Sequence, residues 1–305
     1  MRALIVGYGS IGRRHAEVLE CLGLAVDVVS RRHDAEARKV FGSIDAAVAK
    51  HGYEYVIISD ETARHRDSLA VLSSADYRGT VLVEKPLFAT IEPLPRNDFA
   101  HAGVGYNLRF HPAIRALREA LRGRTPQVAH LYVGQWLDDW RTGRAGADSY
   151  SGHRAAGGGA LRDLSHELDL VGWLFGAWRE VAALGGRFGT VTADADDAWG
   201  ILVSCERCPL VMVHLNCLDR VPRRAIAVQA DGQSIYADLV ANFFRADGET
   251  QTYSVEGNAT YGAMHQAMLA GSNEVCSFEQ GLRTVELIAA IEQASAERRW
   301  IGRAA

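Results

Sequence analysis

The sequence predicts an α/β protein in two parts: a parallel sheet of βαβ units at the N-terminus, then an α+β half whose strands form an antiparallel meander. Three observations carry that prediction. The first third alternates apolar runs of four to six residues with helical segments. A glycine-rich turn, Gly7-Tyr8-Gly9-Ser10-Ile11-Gly12, separates the first run from the first helix. From Val181 to Tyr253 alternating runs are separated by the turn pairs Gly185-Gly186, Cys208-Pro209, Asp231-Gly232 and Asp247-Gly248. At 305 residues, 48% hydrophobic and 23% charged, the chain has the size and composition of two folded domains.

In order, Ala3 to Val6 predicts a strand, Ile11 to Cys21 a helix and Ala25 to Ser30 a second strand. Ala35 to Val40 and Ala46 to Lys50 follow as helical pieces, then Tyr55 to Ser59 and Thr80 to Val83 as strands. These runs are rich in Val, Ile and Leu, as strands covered on both faces are. Val104 to Leu108 reads as one more strand, and Pro93 and Pro95 exclude a long helix before it. Beyond Pro112 the pattern changes to a helix over Ala113 to Leu121 and an alternating strand over Val128 to Trp136. A polar stretch ends in Gly157-Gly158-Gly159, after which Leu161, Leu164, Leu168 and Val171 give Ala160 to Leu174 one helical period. After the meander, helices near Gly262 to Ala270 and Phe278 to Glu297 close the chain. The division this implies is 1–112 and 113–305.

Thirty-three Lys and Arg against 37 Asp and Glu give a formal charge of -4 without a long basic run, which argues against a nucleic-acid partner. Five cysteines, one of them (Cys21) in the first helix, do not suit a disulfide framework. No segment reads as a signal peptide or a membrane span, so a cytoplasmic protein with no membrane partner is expected.

The turn at residues 7–12 lies between strand and helix, the context in which its glycines admit a pyrophosphate to the helix N-terminus. Gly7, Gly9, Ser10, Ile11 and Gly12 are therefore expected to bind a dinucleotide. An NAD-preferring site places a carboxylate about 20 residues on, after the second strand. Here that place holds Ser30, Arg31 and Arg32, a hydroxyl and two guanidiniums suited to a 2′-phosphate. NADP is the expected cofactor, with NAD the second choice; Asp27 lies inside the strand, about three residues too early.

Further motifs follow in order: Glu84-Lys85-Pro86, then Tyr106-Asn107-Leu108-Arg109-Phe110-His111-Pro112, then Gly157-Gly158-Gly159-Ala160-Leu161-Arg162-Asp163. With the glycine turn, they make the chain resemble, nearly end to end, the glucose-fructose oxidoreductase, inositol dehydrogenase and rhizopine catabolism group, called Gfo/Idh/MocA. The resemblance implies a dinucleotide-binding Rossmann domain over 1–112. It implies a C-terminal α+β domain on an open, mainly antiparallel sheet over 113–305, for substrate binding and oligomerisation. The implied activity is hydride exchange between a nicotinamide and a sugar or cyclitol carbon, by a homodimer or homotetramer.

Such chemistry needs a group to move a proton and a group to hold substrate. The resemblance places Lys85, beside Glu84, at the nicotinamide and the reacting hydroxyl. It places Asp163 and His166 on the helix after the glycines, where three-residue spacing puts both on one face. His166 has the side chain suited to general acid/base work near neutral pH. The sequence departs from many members in being one residue shorter between Asp163 and His166, which leaves open whether Asp163 or Asp169 meets substrate. The region resembles a subgroup associated with nonulosonic acid and surface-sugar biosynthesis. Arg141, Arg144, His153 and Arg154 agree with an acidic sugar or nucleotide-sugar substrate, and Asn107, Arg109, Arg141, Tyr150, His153 and Asp169 are the expected substrate contacts. The segment Leu87 to Val104 is shorter than the helix many members carry there.

Other motifs read as structure. Cys205 and Cys208 have zinc-like spacing but no second pair of ligands, and fit a hairpin turn; no metal is expected. Asp194, Asp196 and Asp197 read as a solvated acidic turn. Trp136, Trp140 and Tyr150 suit either a sugar ring or a packed interface. The expected activity is reduction of a sugar carbonyl. Two alternatives on the same fold are redox-neutral, NAD-dependent glycoside cleavage and a non-catalytic dinucleotide-binding sensor.

Overall fold

A computed structural model describes residues 1–31, 38–140, 150–154 and 157–303, with the backbone alone for Trp140 and Tyr150. The chain forms two units, Met1–Phe110 with Glu256–Leu282, and His111–Val255 with Arg283–Ala305. The division expected at 112/113 is thus corrected by one segment: residues 256–282 belong with the first unit. Gly103 shows why, since a Cβ there would lie 2.6 Å from Val275 and 2.8 Å from Met268, so this segment packs directly on the first unit's edge strand.

Unit 1 is built on a six-stranded parallel sheet. Its strands are β1 (Arg2–Val6), β2 (Ala25–Val29), β3 (Val40–Phe41), β4 (Tyr55–Ile58), β5 (Thr80–Val83) and β6 (His101–Val104), in the order β3-β2-β1-β4-β5-β6. Reversal of strand order on either side of β1 is the doubly wound arrangement, in which ligands gather at the carboxyl ends of the strands. Every side chain of β4 is buried, as a strand covered on both faces requires. Helix α1 (Ser10–Cys21) buries Gly12, His15, Ala16 and Leu19, one face at helical spacing. After α2 (Ile44–Lys50), helix α3 (His65–Ser74) occupies a stretch for which no element is predicted, its apolar residues being few. Helix α7 (Ala259–Leu269) adds Met264 and Met268 to the core of Ile5, Leu19, Ile57 and Leu82.

Two expectations change here. The strand expected over Val104 to Leu108 lies earlier, because β6 pairs Val104 with Val83 and the chain then turns through a 3-10 helix at Asn107–Phe110. The helix expected over Ala35 to Val40 falls partly outside the described residues; Arg38 and Lys39 are not helical and Val40 is in β3.

Unit 2 begins with α4 (Pro112–Ala120), whose N-terminus His111 caps by accepting the Ala113 N–H on Nδ1. Its nine-stranded sheet contains β7 (Pro126–Gly134), β8 (Trp178–Gly186), β9 (Ala198–Cys205), β10 (Leu210–Asn216), β11 (Arg223–Ala230), β12 (Gln233–Asp238), β13 (Phe243–Ala246), β14 (Glu249–Thr252) and β15 (Ile301–Gly302). The order is β14-β13-β12-β11-β7-β10-β9-β8-β15, antiparallel except for β7 and β10. The strands expected between 181 and 253 are present, but their simple meander is corrected. Strand β7 enters between β10 and β11 and separates neighbours in sequence, which local turn residues cannot reveal.

The helix expected over Ala160 to Leu174 is broken into α5 (Ala160–Asp163) and α6 (His166–Phe175). Across the break, Ser165 N–H donates to Arg162 C=O at 3.3 Å and Glu167 N–H to Leu164 C=O at 3.4 Å, tighter i to i−3 links than an α-helix uses. Helix α8 (Phe278–Glu297) precedes β15. Among the described residues, no helix is long and apolar enough to cross a membrane.

Candidate active site

In unit 1 the glycine turn joins β1 to α1. Gly7 sits at φ +90°, where a side chain is strained, and its added Cβ would be 2.5 Å from the Asp60 amide nitrogen. A Cβ at Gly12 would be 2.1 Å from the Gly7 carbonyl oxygen, so only glycine lets α1 approach the turn this closely. Gly9 is the reverse case: nothing lies within 4 Å of its added Cβ. Ser59 Oγ donates to Gly7 C=O at 2.9 Å and Gly7 N–H to Val29 C=O at 3.0 Å, which fixes the turn against β2 and β4. No side chain caps the α1 N-terminus. A dinucleotide fits these residues, since open space at Gly9 and the positive end of α1 are what a pyrophosphate needs.

At the end of β2, Ser30 is half-buried and Arg31 exposed; Arg32 lies outside the described residues. Asp27 is unsuited to be the ribose carboxylate. It is buried within β2 and accepts hydrogen bonds from Arg2 Nη1 and Tyr53 OH, both at 2.8 Å. Burial and the bond to Asp27 push the Tyr53 phenol up.

Glu84 and Lys85 follow β5, two strands from the glycine turn. Glu84 is buried, its Oε1 lies 3.0 Å from His15 Nε2, and its Oε2 accepts the Lys85 N–H at 3.2 Å. Burial alone would raise this carboxyl, but the bond and charge of His15, with Lys85, outweigh it and hold Glu84 below the usual carboxylate range. Next along the chain, Pro86 and Leu87 carbonyls lie 3.2 Å and 3.1 Å from Nδ1 of buried His65. Neither His15 nor His65 is singled out by sequence pattern, because each looks like one polar residue in a helix.

Asn107 and Arg109 are buried in unit 1, where Asn107 Nδ2 donates to Thr260 Oγ1 at 2.7 Å and Arg109 Nη1 to Gln280 Oε1 at 2.9 Å. These bonds join the 3-10 turn to the segment 256–282.

In unit 2 the triple glycine leads into α5. Gly159 has φ +116°, and its Cβ would be 2.2 Å from Asp196 Oδ1. Asp196 Oδ2 accepts the Leu161 N–H at 2.9 Å and the Trp199 Nε1–H at 2.6 Å, so it anchors the helix that ends in Asp163. Asp197 is fully buried and accepts the Phe188 and Gly189 N–H groups. The reading of this acidic turn as solvated is therefore corrected for Asp196 and Asp197. Asp194 accepts the Arg154 N–H at 2.8 Å beside half-exposed His153.

Asp163 is the last residue of α5 and His166 the first of α6, so the argument from a shared helix face is replaced by a helix break. Asp163 Oδ2 and His166 Nδ1 are shielded from solvent. Asp169 is buried. Between these residues, buried Glu167 accepts Arg224 Nε at 2.7 Å and Nη2 at 2.8 Å, a bidentate pair that ties α6 to β11. Arg162 reaches Glu292 of α8 at 2.8 Å, which ties down α5. Burial first, then the charges of Asp163, Asp196 and Asp197, push the Cys217 thiol up, so all four groups share one neighbourhood.

Arg141 and Arg144 lie outside the described residues, as does the side chain of Tyr150, whose backbone is in a 3-10 turn at Tyr150–Gly152. The Trp136 ring carries the Arg220 guanidinium over its face at 3.4 Å from the centroid. The Cys205 N–H bonds the Cys208 C=O across the β9–β10 turn.

Two family descriptions match the chain: "Oxidoreductase family, NAD-binding Rossmann fold" over residues 1–97 and "GFO/IDH/MocA C-terminal domain" over residues 114–257. No curated protein sequence matches. Among solved structures, levoglucosan dehydrogenase in complex with NADH is similar at TM-score 0.84 and 16% identity, covering 99% of this chain and 98% of that one. UDP-N-acetylglucosamine 3-dehydrogenase GnnA from Acidithiobacillus ferrooxidans gives 0.78 and 21%, covering 97% and 98%. The WlbA dehydrogenase from Bordetella pertussis, in complex with NADH and UDP-GlcNAcA, gives 0.79 and 16%, covering 100% and 98%. With a glycine cradle at the end of a doubly wound sheet and a mainly antiparallel second unit in place, these matches show that the chain belongs to the GFO/IDH/MocA family of NAD-binding oxidoreductases.

Proposed function

We propose that the protein is an NAD(P)-dependent sugar oxidoreductase that favours reduction of a carbonyl on an acidic or nucleotide-linked sugar. One observation carries the reading. The Gly7–Gly12 cradle, the Ser30-Arg31 pair and Lys85 all follow carboxyl ends of parallel strands in one sheet, β1, β2 and β5. The names of the similar structures, two of which concern UDP-linked sugars, support the substrate class.

Gly7, Gly9, Ser10, Ile11 and Gly12 would hold the pyrophosphate, and Ser30 with Arg31 and Arg32 the adenosine ribose. A nicotinamide, when bound, supplies or accepts the hydride. Lys85 hydrogen-bonds the reacting oxygen through its ammonium, and His166, oriented by Asp163, holds the proton that oxygen gains or loses. Asn107, Arg109, Arg141, Tyr150, His153 and Asp169 stand as substrate contacts; the buried bonds of Asn107 and Arg109 give those two a part in shaping the unit as well.

NADP preference rests on Ser30-Arg31 and on the engagement of Asp27 inside β2. A homo-oligomer is supported by the outer sheet face of unit 2. There register aligns Ala182, Leu202, Met212, His130 and Ala227 in one row, with Leu202 40% and neighbouring Leu184 68% exposed. Five free cysteines agree with a reducing compartment such as the cytoplasm.

Calorimetric titration of cofactor-stripped protein with NADPH and NADH, followed by nicotinamide absorbance with UDP-linked keto-sugars, tests the reading. It is supported by tighter NADPH binding that Arg31→Asp weakens about tenfold, together with one nicotinamide oxidised per sugar. Tighter NADH binding overturns the cofactor preference, and sugar conversion without net redox overturns the reaction type.

A further inference from the structure

Four titratable side chains of unit 1 meet in its interior from four elements: His15 on α1, Tyr55 on β4, Glu84 after β5 and His265 on α7. His15, Tyr55 and His265 are fully buried and Glu84 is 7% exposed. Glu84 Oε1 lies 3.0 Å from His15 Nε2, His15 Nδ1 lies 2.9 Å from His265 Nε2, and His265 Nδ1 lies 2.8 Å from Tyr55 OH. Groups buried this deeply persist because each is hydrogen-bonded, and here each is bonded to the next.

Chemistry fixes the Glu84 end of the chain. Glu84 is held ionised, and a carboxylate only accepts, so His15 Nε2 carries a proton toward it. Burial, then the neighbouring His15, keep His265 neutral with a single N–H, and burial keeps the Tyr55 phenol protonated. From Glu84 the chain runs through His15 and His265 to Tyr55, each side chain within hydrogen-bond distance of the next.

We infer that His15 is a positioning residue for Lys85: backed by His265 and Tyr55, it fixes one oxygen of the Glu84 carboxylate, and the other oxygen holds the Lys85 backbone N–H. The chain thereby joins the helix that starts at the glycine turn to the strand end that bears the reacting ammonium. Space for the carboxylate is provided by Gly105, where an added Cβ would be 2.5 Å from Glu84 Oε1. The functional meaning rests on the proposed role of Lys85, while the chain itself stands without it.

The sequence contains three lysines, Lys39, Lys50 and Lys85, so lysine-selective 15N labelling of the full chain reads Lys85 among three backbone amides. His15→Leu should displace the Lys85 amide resonance and leave Lys39 and Lys50 in place. His15→Gln, which returns an N–H donor to Glu84, should bring it back. In 15N-histidine spectra of the wild type, His265 should carry a single ring proton. With whichever UDP-sugar is turned over, His15→Leu should lower kcat about 10- to 100-fold at near-constant dinucleotide Kd, with recovery in His15→Gln. An unmoved Lys85 amide in His15→Leu, or a doubly protonated His265, overturns the inference. Full turnover by Lys85→Met overturns the proposed function instead and leaves both spectra unchanged in meaning.

Discussion

The two units hold their functional residues by different physical means. In unit 1 the buried Glu84 carboxylate is held by a chain of side chains passed from ring to ring, with His15 and then adjacent Lys85 keeping it ionised. In unit 2 the residues on either side of the helix break are held by full ion pairs and a backbone cap: Glu167 with Arg224, Arg162 with Glu292, and Asp196 on the Leu161 N–H. Ion pairs between elements fix the angle of a short helix that its own four residues cannot stabilise. The comparison teaches that each residue proposed to react has a buried, bonded carboxylate one residue away, Glu84 beside Lys85 and Glu167 beside His166.

The largest effect expected is on turnover. Lys85→Met should reduce kcat about 10²- to 10⁴-fold, the usual worth of a proton-handling group, while dinucleotide affinity by calorimetry stays near wild type. Equal loss of dinucleotide binding would move Lys85 from the reacting oxygen to the cofactor cradle. Next is the unit 2 clamp. Arg224→Met strands the buried Glu167 carboxylate and should destabilise the protein by about 3 kcal/mol in denaturant unfolding, with Glu167→Gln/Arg224→Met together recovering part of it.

The unit 1 chain has its own signature in pH. The His265 folded-state pKa lies well below its usual value near 6.5, so over this range the unfolded chain binds more protons than the folded one. Stability is therefore present above about pH 6.5 and falls as pH is lowered, by up to about 1.4 kcal/mol per unit for this group. Unfolding free energies between about pH 7 and about pH 5 should show this slope, reduced in His265→Gln. A slope unchanged in His265→Gln would mean that another histidine carries it. The smallest expected effect is loss of the α5 cap: Asp196→Ala should cost about 1 kcal/mol and lower kcat more than it raises KM, measured side by side.

Legibility from sequence divides along the same line. The glycine turn, the strands β1, β2, β4 and β5, and the run Glu84-Lys85-Pro86 can be read because local chemistry dictates them: buried strands are short and apolar, and a pyrophosphate turn needs glycine at Gly7 and Gly12. Strand β6 is missed because His101-Ala102-Gly103 carries little apolar signal, although Gly103 is small for a packing reason. The break between α5 and α6 is invisible because Leu161, Leu164 and Leu168 keep one helical period across it. His15 depends on partners 250 and 69 residues away, His265 on partners 250 and 210 away and Asp196 on one 35 away, and no local pattern encodes such distances.

The central claim is that the Lys85-bearing dinucleotide unit reduces or oxidises a sugar carbon. Its most direct test is the stoichiometry of nicotinamide absorbance change against UDP-sugar converted, for the wild type and Lys85→Met. The account predicts one nicotinamide per sugar in the wild type and almost no change in the variant. Sugar converted with no net nicotinamide change, or equal turnover by the variant, would contradict it.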